Sequence, residues 1–157
     1  MKFNDDTPPG ARVFEVRDRV RWSDVDIAGI IYFGAYVRFI ELAETELFRD
    51  LGFPYSKMFE QLDIWLPRVH LDFDFFAPAL MDDELVLRTH ISKLGRSAIT
   101  MRMVVHNARG AEVDAAATLV VAAVNRNAMK SCPIPADLRA TLEACLAPVP
   151  IADGVAH

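Results

Sequence analysis

The apolar residues of this chain are spaced as in an α+β domain in which one long helix is wrapped by an antiparallel sheet. Two observations carry that prediction. Only Tyr36 to Leu51 combines a sustained helical period with apolar residues around much of its circumference, as a helix enclosed by other elements does. Most of the remaining ordered sequence alternates apolar and polar residues with period two, as half-buried strands do.

Taken in order, Phe14, Val16, Val20 and Trp22 alternate with Glu15, Arg17, Arg19 and Arg21 and predict a first strand. The helix follows, with Tyr36, Ile40, Ala43, Leu47 and Leu51 spaced by three and four, and Gly52 and Pro54 stop it. After Pro67 the residues Val69, Leu71, Phe73 and Phe75 alternate with Arg68, His70, Asp72 and Asp74 until Pro78. Met81-Asp82-Asp83 turns the chain into a strand of Leu85, Leu87, Thr89 and Ile91. Leu94-Gly95-Arg96 then links it in a hairpin to Ile99, Met101, Met103 and Val105. Asn107 to Gly110 predicts a second turn, before an alanine- and valine-rich strand from Glu112 to Val124 whose small residues suit close packing on the helix. Asp137 to Leu146 predicts a short closing helix with Leu138, Leu142 and Cys145 on one face. One domain is expected over residues 11–147, with loose termini at 1–10 and 148–157.

Composition narrows the function classes. At 157 residues and 52% apolar the chain can bury a core without disulfides, and Cys132 and Cys145 are too few and too late to staple it. A net charge of −5 argues against a nucleic-acid binder, which needs a basic face. The N-terminus lacks the apolar run of a signal peptide and no stretch is long enough to span a membrane, so a cytoplasmic protein is expected. His70, His90 and His106 fall on the polar phases of three strands without metal-ligand spacing, so no metal and no cofactor is expected.

The chemistry concentrates in Asp24-Val-Asp26-Ile-Ala-Gly29-Ile-Ile-Tyr32-Phe33-Gly34-Ala-Tyr36, two acids and a glycine just ahead of the long helix. A helix start presents unpaired N–H groups and partial positive charge, so it can polarise a carbonyl oxygen beside a carboxylate. Acyl transfer is the chemistry that such an arrangement suits. A calcium loop is disfavoured because Ala28 and Ala35 occupy the fifth and twelfth places, where oxygen ligands are needed. Either acid could cap a turn through its side-chain oxygen, and Asp24 is assigned that role. Asp26 precedes an apolar run, where a cap is rarely required and a carboxylate would be desolvated, and it is assigned as the reactive acid.

The stretch from Val20 to Tyr36 resembles the signature of the 4-hydroxybenzoyl-CoA thioesterase family of hot-dog acyl-CoA thioesterases, including those associated with the Tol-Pal envelope system. The likeness continues through Glu41 and Ala43, Pro67, the Asp82-Asp83 turn, Leu94 to Ser97 and Ile134-Pro135. It implies hydrolysis of an acyl-CoA to a free carboxylate and coenzyme A, with Asp26 as nucleophile or as general base for water. It further implies that the main-chain N–H of Phe33 polarises the thioester oxygen, helped by Gly34, with Tyr32 beside the substrate. Relatives often carry a histidine where this chain has Phe33, so that side chain's role does not transfer. The family's sites lie between subunits, which implies a homodimer or homotetramer.

Lys93, Arg96 and Ser97 offer two cations and a hydroxyl at one turn, suited to the phosphates of coenzyme A or simply solvated. Glu41 competes with Asp26 as a helical acid, although Arg38 and Glu44 one turn to either side suit an ordinary polar stripe. No Gly-x-Ser-x-Gly elbow is present. The alternatives to a thioesterase are a hot-dog hydratase or dehydratase, which would call on a histidine near the motif, and a non-catalytic acyl-CoA binding module.

Overall fold

The computed structural model describes residue 3, residues 5–110 and residues 112–149; most of the predicted C-terminal tail, and Met1, Lys2 and Asn4 of the lead-in, lie outside them. Its elements in chain order are β1 (Phe14–Arg19), α1 (Tyr36–Asp50), α2 (Tyr55–Leu62), β2 (Ile64–Trp65), β3 (Arg68–Phe75), β4 (Glu84–Leu94), β5 (Ala98–Asn107), β6 (Val113–Ala122), β7 (Val124–Asn125) and α3 (Ala136–Glu143). Five strands form one antiparallel sheet in the order β1-β4-β5-β6-β3, so β1 and β3 are its edges, while β2 pairs with β7.

The long helix α1 lies against this sheet, where Phe39, Ile40, Leu47 and Phe48 meet Leu85, Leu87, Met101, Met103 and Leu119 in one core. Ala115 and Ala117 are fully buried on β6 in the same core, but the helix makes its close approaches to β1 and β4 and not to the small residues of β6. The hairpins β4–β5 and β5–β6 pair in the expected order, with Leu94 opposite Ile99 and His106 opposite Val113.

Four features depart from the sequence pattern, each because long-range packing overrides a local period. Trp22 does not extend β1: the chain leaves the sheet after Arg19 for a single helical turn at Trp22–Asp24, and the indole is 81% exposed. Residues 55–62 form α2, which covers the end of α1 through Tyr55 and Phe59. Glu44 is not part of a solvated stripe but fully buried, accepting hydrogen bonds from the Tyr55 hydroxyl and from Arg68 Nε at 2.7 Å. His90 is buried on the outer face of the sheet, where Asp5 and Asp6 of the lead-in reach Arg88 and Arg102; burial holds its imidazole below the usual histidine range.

A buried polar cluster closes one end of the sheet. The Asn107 amide donates to Asp83 Oδ2 at 2.9 Å and to Asp114 Oδ2 at 3.1 Å, and Arg109 pairs with Asp83 at 3.3 Å. Burial pushes the Asp114 carboxyl up to about 6; the Asn107 bond opposes that rise and the Asp83 charge adds to it. Because the folded state holds this proton above the unfolded pKa of 3.8, the carboxyl's contribution to stability falls as pH rises through that window. Asp114→Asn should therefore gain on the wild type by on the order of 2–3 kcal/mol between pH 4 and pH 7. Urea titrations at the two pH values read that difference, and an equal stability gap at both would contradict the assignment.

Candidate active site

The acid loop is built by a sequence of short-range bonds. Val25 bridges to Ile31, Asp26 N–H donates to Ile30 at 3.0 Å, and Gly29 N–H returns to the Asp26 carbonyl at 2.9 Å, which closes a tight hairpin. Gly29 sits at φ +74°, a conformation that a side chain would strain. Ile30 and Ile31 then pair with Leu80 and Ala79 just ahead of β4. Phe33–Ala35 form one helical turn that runs directly into α1.

Asp24 is the support that its position predicts. Its carboxylate, 3% exposed, accepts the Arg21 N–H at 2.8 Å and two bonds from Arg38, one of them from Nε at 3.0 Å, while its carbonyl accepts Tyr32 N–H at 3.0 Å. Burial alone would raise this carboxyl, but the Arg38 and Arg21 bonds outweigh it and hold it below the usual carboxylate range. Arg38 also pairs with Asp18 of β1. The first turn of α1, the acid loop and β1 are thereby joined at one point.

Asp26 differs from its sequence reading in one respect. It stands exposed at the head of the hairpin, and its Oδ1 accepts Ala28 N–H at 2.8 Å, so it does cap a turn and is not desolvated within the single chain. The apolar run after it, which suggested burial, is used instead to pair with residues 79–80. Asp26 lines a hollow of about 600 Å³ together with Trp22, Ile27 and Met81. Phe33 lines an adjoining groove of about 330 Å³ shared with Ile30, Ile31, Tyr36, Phe75 and Phe76. The N–H groups of Phe33 and Gly34 open the helical turn and have no partner within it, as at any helix start. Tyr32 covers Gly34 so closely that a Cβ there would lie 3.0 Å from its ring.

The other predicted residues lie elsewhere. Arg96 and Ser97 lie in the β4–β5 turn and Lys93 just before it at the end of β4, nine residues or more along the chain from Glu84 and so roughly 30 Å from the acid loop at about 3.3 Å per residue. That turn is held by Arg139, which donates to the carbonyls of Gly95 and Arg96, and by a 2.8 Å bond between the hydroxyls of Ser97 and Ser131. Glu41 is exposed beside Arg38 and Thr45, outside both hollows. His70 pairs with Asp72 on β3, and no histidine lines either hollow. Among the described residues no group of three or more histidine, cysteine or acidic side chains could hold a metal ion, and no helix is long and apolar enough to cross a membrane. The cluster of Asp83, Asn107 and Asp114 is not expected from local sequence, where its visible sign is the acid interrupting Val113-Asp-Ala-Ala-Ala-Thr118.

A long helix wrapped by a five-stranded antiparallel sheet, with an acid hairpin at the helix start, defines the hot-dog class. The chain belongs to the thioesterase-like superfamily, whose profile matches residues 20–142. It is 29% identical over 122 residues to the acyl-CoA thioesterase YbgC of Haemophilus influenzae, an alignment covering 78% of this chain and 88% of the relative. The fold is shared with Slr0204, a 1,4-dihydroxy-2-naphthoyl-CoA thioesterase from Synechocystis, at TM-score 0.77 and 23% identity over 83% of this chain and 96% of that one. It is shared too with a mutant 4-hydroxybenzoyl CoA thioesterase complexed with 4-hydroxybenzoyl CoA, at TM-score 0.76 and 23% identity over 86% and 99% of the two chains.

If Arg38 holds Asp24 and the loop together, Arg38→Ala leaves a buried carboxylate unpaired and should cost about 3 kcal/mol or more of stability at pH 7. A urea midpoint unchanged from wild type would show that the pair does not hold the loop.

Proposed function

We propose that the chain hydrolyses acyl-CoA thioesters, releasing coenzyme A and a free carboxylate, with Asp26 as the reacting acid. The observation that carries this reading is the placement of the Asp26 hairpin directly ahead of the helical turn at Phe33–Ala35, within a thioesterase-like fold. A carbonyl oxygen seated at that turn receives the Phe33 and Gly34 N–H groups, which stabilise the negative charge that develops on it. The Asp26 carboxylate acts by one of two routes that consume the same water. It adds to the thioester carbon and expels the thiolate, leaving an anhydride that water opens, or it takes a proton from the water that attacks the carbon. The absence of histidine from both hollows favours hydrolysis over the hydratase reading.

The site is completed by a second subunit. Val69 and Phe75 are 59% and 51% exposed on the edge strand β3, an apolar edge that pairing with another copy would cover. Antiparallel pairing of two such edges brings the far end of one sheet towards the acid loop of the other. Lys93, Arg96 and Ser97 of a neighbouring subunit are then available to the coenzyme's phosphates, which they cannot serve within one chain. The protein acts as a homodimer or a pair of dimers, in the cytoplasm, without a metal or redox cofactor.

Thiol release from a panel of acyl-CoAs, measured for wild type and Asp26→Asn, tests the reading. Turnover should fall by at least about a hundredfold in the variant, the usual contribution of a positioned acid or base. Equal release by both proteins refutes the role of Asp26; binding of acyl-CoA with no release by either identifies a binding module instead.

A further inference from the structure

The lead-in before β1 is tied across the outer face of the sheet. Arg12 N–H donates to the Cys145 carbonyl at 3.0 Å and Ala11 N–H to the Pro8 carbonyl at 3.1 Å, which fixes where the segment leaves β1. Farther out, Asp5 pairs with Arg88 of β4 at 3.5 Å and Asp6 with Arg102 of β5 at 3.2 Å. Phe3 then packs its ring against Phe76, with centroids 5.4 Å apart, and the Arg102 guanidinium lies 5.9 Å from the centre of the Phe3 ring. Phe76 directly follows β3, so the segment runs from the β1 edge of the sheet to the β3 edge. Five strands at about 4.8 Å spacing set those edges roughly 19 Å apart, within reach of the stretch from Phe3 to Arg12 at about 3.3 Å per residue.

Phe76 belongs to the wall of the groove beside Phe33, whereas Phe3 does not line that groove. Phe3 therefore meets the wall from outside. The wall is also tied to the sheet by the Asp114 carbonyl, which accepts the N–H groups of Phe76 and Ala77 at 2.8 and 3.2 Å. Of these two supports the lead-in is the weaker, since largely exposed ion pairs contribute little each and are screened by salt. It can lift while the sheet stays intact. Lifting it frees the outer side of Phe76, and the wall can then yield to a larger occupant.

We propose that the lead-in is a strap that limits the bulk of the acyl group the groove accepts, with Phe3 as a positioning residue acting through Phe76 and with Asp5 and Asp6 as its latch. This rests on the reading of the chain as an acyl-CoA thioesterase. Latched, the strap holds the groove at its volume of about 330 Å³; released, it admits longer chains.

The test compares butanoyl- with decanoyl-CoA for wild type, Phe3→Ala and Phe3→Tyr. The decanoyl-to-butanoyl ratio of kcat/KM should rise about fivefold or more in Phe3→Ala and stay within about twofold of wild type in Phe3→Tyr, which keeps the ring. Raising the salt from about 0.05 to about 0.5 M should raise the same ratio in wild type and leave it unchanged in Phe3→Ala, where the latch has no ring to hold. The coenzyme is common to both substrates, so its own salt dependence cancels. Hydrogen exchange at the Phe76 and Ala77 amides, which needs no turnover, should quicken about fivefold or more in Phe3→Ala. Either readout unchanged in that variant overturns the proposal, as does an equal fall for both substrates. So does a shift that accompanies a change in oligomeric mass, which would make Phe3 part of a subunit contact. If the wild type hydrolyses neither substrate, the thioesterase reading fails on its own, and the exchange rates with dissociation constants for the two acyl-CoAs decide the role of the strap.

Discussion

The contact between Arg38 and Asp24 is the one on which the arrangement of this site depends. A lone carboxylate buried at the foot of an exposed loop would be costly, and Arg38 offsets that cost from the first turns of the long helix. Because the same guanidinium reaches Asp18 on the edge strand, three segments that are not neighbours in sequence are held in one relation. The planar fork of arginine suits this task, since two of its nitrogens can bond one carboxylate while a third reaches a second acid. The acid hairpin therefore does not need a core of its own: it is anchored at Asp24 and again at the Ile30–Leu80 bridge, and Asp26 projects from between the anchors.

Two other buried acids show how differently the same residue type is used. Glu44 has full hydrogen bonding from Tyr55 and Arg68 and ties α2 and the start of β3 to the central helix, yet burial still leaves its carboxyl above the usual range. Asp114 receives a single amide bond from Asn107 and is raised further by Asp83. The first is a packed strut. The second is a polar point set behind an apolar groove, where it affects Tyr36 through charge and the groove wall through its backbone.

Much of this was legible in the chain. The period of Tyr36 to Leu51 and the hairpins at Gly95 and Asn107 are local signals that the tertiary structure obeys. The supporting role of Asp24 was legible as well, although its partner Arg38 comes from the first turn of the helix fourteen residues on. What could not be read depends on residues distant in sequence. The apolar run after Asp26 pairs with residues 79–80 instead of enclosing the carboxylate, and Glu44 is buried because Tyr55 and Arg68 come from elements beyond the helix. Trp22 continued an alternating pattern, but the Asp24 anchor turns the chain out of the sheet first and leaves the indole in solvent. The separation of Asp26 from Lys93, Arg96 and Ser97 is likewise a matter of strand length and direction, which no motif encodes.

On the proposed role of Asp26, Arg38 serves catalysis only by holding the loop that carries that carboxylate. The direct measurement is a double-mutant cycle on kcat/KM with Asp26→Asn and Arg38→Lys, the latter keeping the charge but losing the fork. Arg38→Lys alone should lower activity, and the double variant should lie within about twofold of Asp26→Asn, because a loop without its carboxylate has nothing left to misplace. Losses that multiply in the double variant would contradict the account and give Arg38 a role of its own.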